Sequence, residues 1–412
     1  MQEEYKFIFD RKSKEYDEYI SGEIERLNSN GKKTVLFVCD TYFPTYDGVI
    51  NVFDMYANAL LNAGYNVMAY VPAYKGKVYV KNYPVISAGS FFSKKLNYQV
   101  PSPFTGRKTN KYLERLKIDF IHCHSPFFLG RHAVSIHRKR KIKMVTTFHS
   151  QYKKDLKKSV KSDLLTNILL KYLMHTFNGS DEVWTVSEAC KRIIIDYGYK
   201  GKVEIIPNGT DFEASKNYPL EREEAKKLYN TENLPVFLFV GRLVENKNII
   251  FIANVLGYLK KCGLKFKMLF AGDGPDRDKL VKALQNNNVE KETTLLGHIS
   301  DKKQLASVYS AADLFLFPSD YDTDSIVQKE AASRFLPGVF IENSATSYNV
   351  KDKINGFVLP SDEKQFAEGV LEIMNNKPLL KEVSENAFRD LFVRKSRVTE
   401  ILLKNYERLT GK

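Results

Sequence analysis

The amino-acid sequence predicts an α/β protein of two facing Rossmann-like domains, each a parallel sheet with helices on both faces. Three observations predict it. Apolar, strand-length runs alternate with helical patterns along most of the chain. The alternation breaks at the turn cluster Pro207-Asn208-Gly209-Thr210-Asp211 and then resumes as a second series. The length, 412 residues, exceeds what one core usually supports.

Residues 1–30 are polar, with Glu, Lys and Arg throughout. They read as an added helix or a loose arm rather than a secretory signal. In the first series, strands are expected at Thr34–Cys39, Asn66–Val71, Asp119–Cys123, Lys143–Phe148, Glu182–Val186 and Val203–Ile206. A turn-rich loop from Asp40 to Gly48 leads into a helix carrying Val52, Met55, Tyr56, Ala59 and Leu60. The second series has strands at Val236–Val240, Phe266–Ala271, Thr293–Leu296, Asp313–Phe317 and Gly338–Ile341. A last helical stretch covers Val383–Leu409. The expected domains are residues 31–210 and 211–385, followed by a helix at 386–412. Open parallel sheets bind ligands beyond the carboxyl ends of their strands, so the crevice between the domains is the expected site.

With 43% hydrophobic and 13% aromatic residues, the composition excludes a disordered chain. No apolar run approaches the length of a membrane span. Cys39, Cys123, Cys190 and Cys262 lie far apart with no CxxC spacing, as in a cytoplasmic protein with reduced thiols. His122-Cys123-His124 looks like a metal cluster. In a strand, however, alternate side chains share a face, which turns the cysteine away from both histidines.

The net charge of +14 is uneven: between Arg131 and Lys171 stand twelve cations and only two acids, Asp155 and Asp163. Such a patch suits an anionic membrane surface, a nucleic acid or an acidic polymer. No nucleic-acid-binding motif accompanies it, so nucleic acid is not an expected partner. From Tyr152 to Phe177, Tyr152, Leu156, Val160, Leu164, Ile168 and Tyr172 repeat at four-residue spacing. Lys153, Lys154, Lys157, Lys158 and Lys161 fill the other faces. Two readings stand side by side. One is an interfacial helix with lysines on anionic lipid; the other is a core-facing helix with a solvated basic face.

Two motifs carry most of the chemistry. Gly241-Arg242-Leu243…Lys247 follows an apolar strand, and its two cations can hold a diphosphate, Arg through a planar fork and Lys as a point charge. Such cations also stabilise charge building on a departing diphosphate. The second motif, Asp322-Thr323-Asp324-Ser325-Ile326…Glu330, places two carboxylates eight residues apart. Glu330, expected at or near a helix start, can accept from ribose hydroxyls, and Asp322 from those of a transferred sugar. The backbone N–H groups of Ser325 and Ile326 can meet a diphosphate. Together these supply what a sugar-nucleotide site needs. Asp322-Thr323-Asp324 also spells a metal-chelating DxD. Arg242 and Lys247 already supply cations, so no metal is expected. Gly272-Asp273-Gly274-Pro275 is a tight βα turn that lets backbone approach a ligand, and Asp47-Gly48-Val49 opens a helix suited to phosphate or acceptor. His149 ends a strand at the cleft edge and can donate to a sugar hydroxyl.

These pieces resemble a known family. The Gly241…Lys247 run, Gly272–Pro275, Ser310–Ser319, Asp322…Glu330, Pro207–Asp211 and Asn355-Gly356-Phe357 stand in the order found in retaining GT-B glycosyltransferases of family four. The resemblance covers roughly residues 34–390. It implies an acceptor domain first and a donor domain second, with the C-terminal helix crossing back to the first. It implies that Arg242 and Lys247 bind the diphosphate, Glu330 the ribose, Asp322 the donor sugar, and that His149 contacts that sugar near the reacting bond. It also implies retention without a metal: the acceptor attacks on the face the diphosphate leaves, and the departing phosphate oxygen takes the proton. Asp322-Thr-Asp-Ser stands where the family has Glu-Gly-x-Gly. His122–Gly130, Thr147–Ser150 and the lysine-rich segment are similar to bacterial members acting on diacylglycerol or other membrane-bound acceptors.

The expected activity is transfer of a hexose, with UDP-sugar favoured as donor, to a glycolipid or lipid-linked surface polysaccharide. The expected location is the cytoplasm, peripheral on the inner face of a bacterial membrane. Two alternatives are a degenerate transferase-like subunit that binds a partner or membrane, and a sugar-nucleotide epimerase on the same scaffold.

Overall fold

The computed structural model describes residues 5–45, 48–93, 98–102, 106–231 and 233–411. The chain divides into two units, Met1–Pro207 with Thr399–Lys412, and Asn208–Val398.

The first unit contains β1 (Phe7–Asp10), β2 (Thr34–Val38), β3 (Asn66–Pro72), β4 (Lys77–Val80), β5 (Val85–Ala88), β6 (Ser90–Ser93), β7 (Tyr98–Pro101), β8 (Phe120–Cys123), β9 (Lys143–Phe148), β10 (Glu182–Thr185) and β11 (Val203–Ile205). Seven of them form one sheet in the order β11-β10-β9-β8-β2-β3-β5, parallel throughout. β2, β3 and β8 are buried along their whole length. A parallel strand covered on both faces needs apolar residues at every position, which is why these runs show no alternation.

Two small antiparallel pairs, β1 with β4 and β6 with β7, were not expected from the sequence. The N-terminal segment is a strand followed by the helix Lys14–Ser29, capped by Ser13, whose hydroxyl accepts from the Tyr16 N–H at 3.1 Å. Tyr16, Ile20, Ile24 and Leu27 recur every three or four residues and are buried.

The second unit holds β12 (Val236–Val240), β13 (Lys267–Ala271), β14 (Thr293–Gly297), β15 (Leu314–Leu316), β16 (Gly338–Ile341) and β17 (Phe357–Leu359). They make one parallel sheet in the order β14-β13-β12-β15-β16-β17. Phe237, Phe239, Phe270, Phe315 and Phe317 are fully buried in it. Each such side chain removes apolar area worth about 2–3 kcal/mol from water.

The last helical stretch, expected as one element, is two helices, Lys377–Leu391 and Lys395–Thr410. The backbone between them is spent on Thr210, which donates to the Val393 carbonyl at 2.9 Å and accepts from the Lys395 N–H at 2.9 Å. Residues from Thr399 onward belong to the first unit. There Arg408 donates to both carboxylate oxygens of Glu182 at 2.6 Å, and the Lys33 ammonium donates to the Thr410 carbonyl at 2.6 Å.

Candidate functional site

In the second unit the predicted residues gather beyond the carboxyl ends of β12, β13 and β15. Gly241 ends β12 at φ 154°, a conformation that favours glycine. Gly272 ends β13, and a Cβ there would lie 1.9 Å from the Gly241 carbonyl oxygen; one on Gly274 would lie 2.3 Å from that of Leu243. What these two glycines accommodate is therefore the chain's own backbone, where the sequence suggested approach to a ligand. The Leu243 N–H donates to the Asp273 carbonyl at 3.0 Å, and the Asp276 N–H to the Leu243 carbonyl at 3.1 Å. The two loops are thus locked side by side.

Arg242 stands on that platform, exposed to solvent. Lys247 closes the short 3-10 turn Glu245–Lys247. Its ammonium donates to both carboxylate oxygens of Asp322. A cation expected on diphosphate and an acid expected on sugar hydroxyls are partners of each other. The second acid of the DxD has a different lysine: Lys329 pairs with Asp324, with side chains 7% and 2% exposed. Asp324 also accepts from the Asn208 N–H at 2.7 Å, which ties the Pro207–Asp211 turn to this loop. Each carboxylate of the DxD therefore already has its own ammonium.

Glu330 is not at a helix start. It is the fifth residue of Ile326–Ala332, because Asp322–Ser325 form the loop and Ser325 takes the N-cap position. The helix-start charge effect expected for it falls off within the first turn. Tyr309 donates to its Oε2 at 2.8 Å. Burial raises the Glu330 carboxyl above the usual range, and the Tyr309 bond opposes that shift. Ser325 is buried, and its side chain makes no capping bond.

In the first unit, His149 follows β9 and His124 follows β8. Strand alternation puts His122 and His124 on one face, their rings stacked with centroids 4.2 Å apart. Cys123 turns the other way, its thiol donating to the Ser125 carbonyl at 2.9 Å. His124 Nδ1 lies 3.2 Å from His149 Nε2. Burial lowers all three histidines, His149 to about 3, so all are neutral near pH 7.

Asp40, at the end of β2, holds the start of the helix Phe128–Arg140. It accepts from the Leu129 N–H at 2.8 Å and the Ser125 hydroxyl at 2.6 Å. Burial pushes its carboxyl up to about 6, against those hydrogen bonds. Gly48 opens the helix Gly48–Asn62, and among the described residues nothing lies within 4 Å of a Cβ built on it. Asp47 lies outside the described residues.

The lysine-rich segment, expected as one amphipathic helix, is two: Tyr152–Val160 and Asp163–Asn178. Lys161 adopts a left-handed conformation at φ 52°, and Ser162 caps the second helix by accepting from the Leu165 N–H. The four-residue series therefore splits. Tyr152 is buried and Leu156 and Tyr172 pack on its cluster. Leu164, Leu165 and Ile168 are 71%, 49% and 53% exposed. Lys153, Lys154, Lys157, Lys158 and Lys161 are all exposed. Among the described residues no helix is long and apolar enough to cross a membrane.

Residues 46–214 match the family model described as Glycosyltransferase Family 4, and residues 221–390 match Glycosyl transferases group 1. The chain is a family-four glycosyltransferase of the group-1 type. Its two parallel sheets are those of the GT-B fold. The glycosyltransferase is 27% identical to the alpha-monoglucosyldiacylglycerol synthase of Streptococcus pneumoniae, over 83% of this chain and 78% of that one. It is 26% identical to the protein of the same name from Acholeplasma laidlawii, over 67% and 71% of the two chains. The structure of Anabaena Alr3699/HepE in complex with UDP superposes with a TM-score of 0.72 at 15% identity, covering 91% of this chain and 100% of that one.

Several partners of the predicted residues were not marked as such by the sequence: Lys329, Asn208 and Tyr309 in the second unit, and His124 in the first, where Asp40 also holds a helix start. A lysine next to Glu330 and a tyrosine ahead of a strand carry no pattern of their own. The histidine alternation did signal that His122 and His124 share a face.

Proposed function

We propose that this glycosyltransferase moves a hexose from a nucleotide sugar, UDP-sugar favoured, to a membrane-associated lipid acceptor, with retention and without a metal. The observation that carries the lipid reading is the exposed apolar start of the helix Asp163–Asn178, with Leu164, Leu165 and Ile168 beside exposed Lys157, Lys158 and Lys161. Apolar insertion together with lysines on anionic headgroups is the chemistry of a peripheral membrane contact. The names of the pneumococcal and Acholeplasma relatives agree with a diacylglycerol acceptor. In this reading the chain sits peripherally on the inner face of the membrane.

Arg242 and Lys247 receive the diphosphate, which carries about two to three negative charges and competes with Asp322 for Lys247. Release of Asp322 from Lys247 then frees a carboxylate for sugar hydroxyls. Glu330 accepts from the ribose. The departing phosphate oxygen takes the acceptor's proton, so no protein base is required. The pairing of Asp322 with Lys247 and of Asp324 with Lys329 supports a metal-independent site.

The test is transfer from labelled UDP- and GDP-sugars into diacylglycerol vesicles, with and without anionic lipid. Label from UDP-sugar is expected in the organic phase, undiminished in EDTA. Arg242→Ala or Lys247→Ala should nearly abolish it with the fold intact. Leu164→Glu with Ile168→Glu should release the protein from vesicles in flotation. Undiminished turnover in both cation variants would sink the site assignment. Loss in EDTA restored by manganese would establish the DxD chemistry instead.

A further inference from the structure

Three histidines of the first unit, His122, His124 and His149, form a row with different hydrogen-bonding fates. His122 is satisfied on both nitrogens: Nδ1 pairs with the Tyr406 hydroxyl, and Nε2 lies 2.7 Å from Thr147 Oγ1. His124 has His149 Nε2 on one side, at 3.2 Å from Nδ1. Its other nitrogen, Nε2, is buried without a hydrogen-bond partner among the described residues. The rings around it are Phe37, stacked at 5.3 Å, Phe53 at 5.2 Å, Tyr56 at 5.7 Å and His122 at 4.2 Å, and none of them hydrogen-bonds that nitrogen.

A neutral imidazole carries one N–H and one bare lone pair. Across the 3.2 Å contact one ring must donate and the other accept. If His149 donated, the His124 proton would sit on Nε2, as a buried N–H with no acceptor. An orphaned donor in an apolar pocket is rarer and more costly than an orphaned lone pair. The proton of His124 therefore belongs on Nδ1.

We propose that His124 is a positioning residue: its Nδ1–H donates to His149 Nε2 and holds His149 as the Nδ1–H tautomer, with ring plane and donor direction set. The burial that keeps all three rings neutral supports the argument, because an imidazolium at either position would donate from both nitrogens. The functional part rests on the reading that His149 meets the donor sugar. In that reading the group offered to a sugar oxygen is Nδ1–H. Replacing His124 then costs alignment rather than a direct contact.

The test is the long-range nitrogen–proton NMR spectrum of the full chain with labelled histidine at neutral pH, with His149→Gln used for assignment. The expected pattern is His149 protonated at Nδ1. In His124→Phe, which keeps a ring but removes the donor, that pattern should be lost, and kcat should fall about tenfold with KM within about twofold. His124→Asn, whose amide can replace Nδ1–H, should recover most of the rate. A His149 protonated at Nε2 in the unmodified protein overturns the proposal, as does an unchanged spectrum in His124→Phe. Should His124→Phe fail to fold, the unmodified spectrum decides alone. Unchanged turnover in His149→Ala refutes the sugar contact while leaving the tautomer result standing.

Discussion

Acidification should destabilise the first unit selectively, through its buried histidines. In the unfolded chain each histidine titrates near 6.5, whereas burial holds His122, His124 and His149 well below that, His149 at about 3. The folded-state value is depressed, so the stabilising contribution is present above 6.5 and is lost as pH falls toward the folded value. At about pH 5.5 the unfolded form gains roughly 1.4 kcal/mol from each ring, about 4 kcal/mol for the three. Asp40 works in the opposite direction: its carboxyl is raised to about 6, so its burial penalty is relieved on acidification. That relief amounts to about 1 kcal/mol between pH 7.5 and 5.5. The net loss is about 3 kcal/mol, a large share of a domain's stability of roughly 5–15 kcal/mol. The assay is urea unfolding followed by the fluorescence of Trp184. It is the one tryptophan of the chain, buried in this unit with its ring 5.0 Å from that of His122. A midpoint that stays put from pH 7.5 to 5.5, or that rises, would refute the neutral, buried histidine row.

Other perturbations act mainly on the second unit, with one comparison in the first. Gly272→Ala places a Cβ 1.9 Å from the Gly241 carbonyl oxygen at φ 145° and should cost about 3 kcal/mol or more in chemical unfolding, whereas Gly48→Ala, in open space at a helix start, should be neutral or slightly stabilising. Lys329→Met strands the buried Asp324 carboxylate, and a loss of about 3–5 kcal/mol is expected in the same measurement. Asp322→Asn releases Lys247 from a pair whose side chains are 17% and 21% exposed. Calorimetry should then show UDP binding unchanged or tighter by up to about fivefold, with transfer strongly reduced. Tyr309→Phe removes the hydroxyl that donates to Glu330, and should destabilise this unit by about 2 kcal/mol while weakening nucleotide binding.

The main sheets were legible because covered parallel strands leave continuous apolar runs, as at Val35–Val38 and Val236–Val240. The β1–β4 pair was not, since Phe7–Asp10 and Lys77–Val80 are only four residues each, the first largely exposed, and they find each other only in space. Four-residue spacing from Tyr152 to Tyr172 suggested one helix, because spacing cannot sense the left-handed turn at Lys161 that splits it. At the site, motif order was enough to mark Arg242, Lys247, Asp322, Glu330 and His149 as candidates.

By itself, then, the sequence determined the fold class, the two βα series and the residue types at the carboxyl ends of the strands, all of which are properties of local runs and their order. Partnership was decided only in the tertiary structure. Lys247 meets Asp322, Asn208 meets Asp324, Tyr309 meets Glu330 and His124 meets His149 across long stretches of chain. Whether a charge is paired or a ring stays neutral depends on which distant groups the sheets bring beside it, and on how much water those neighbours displace.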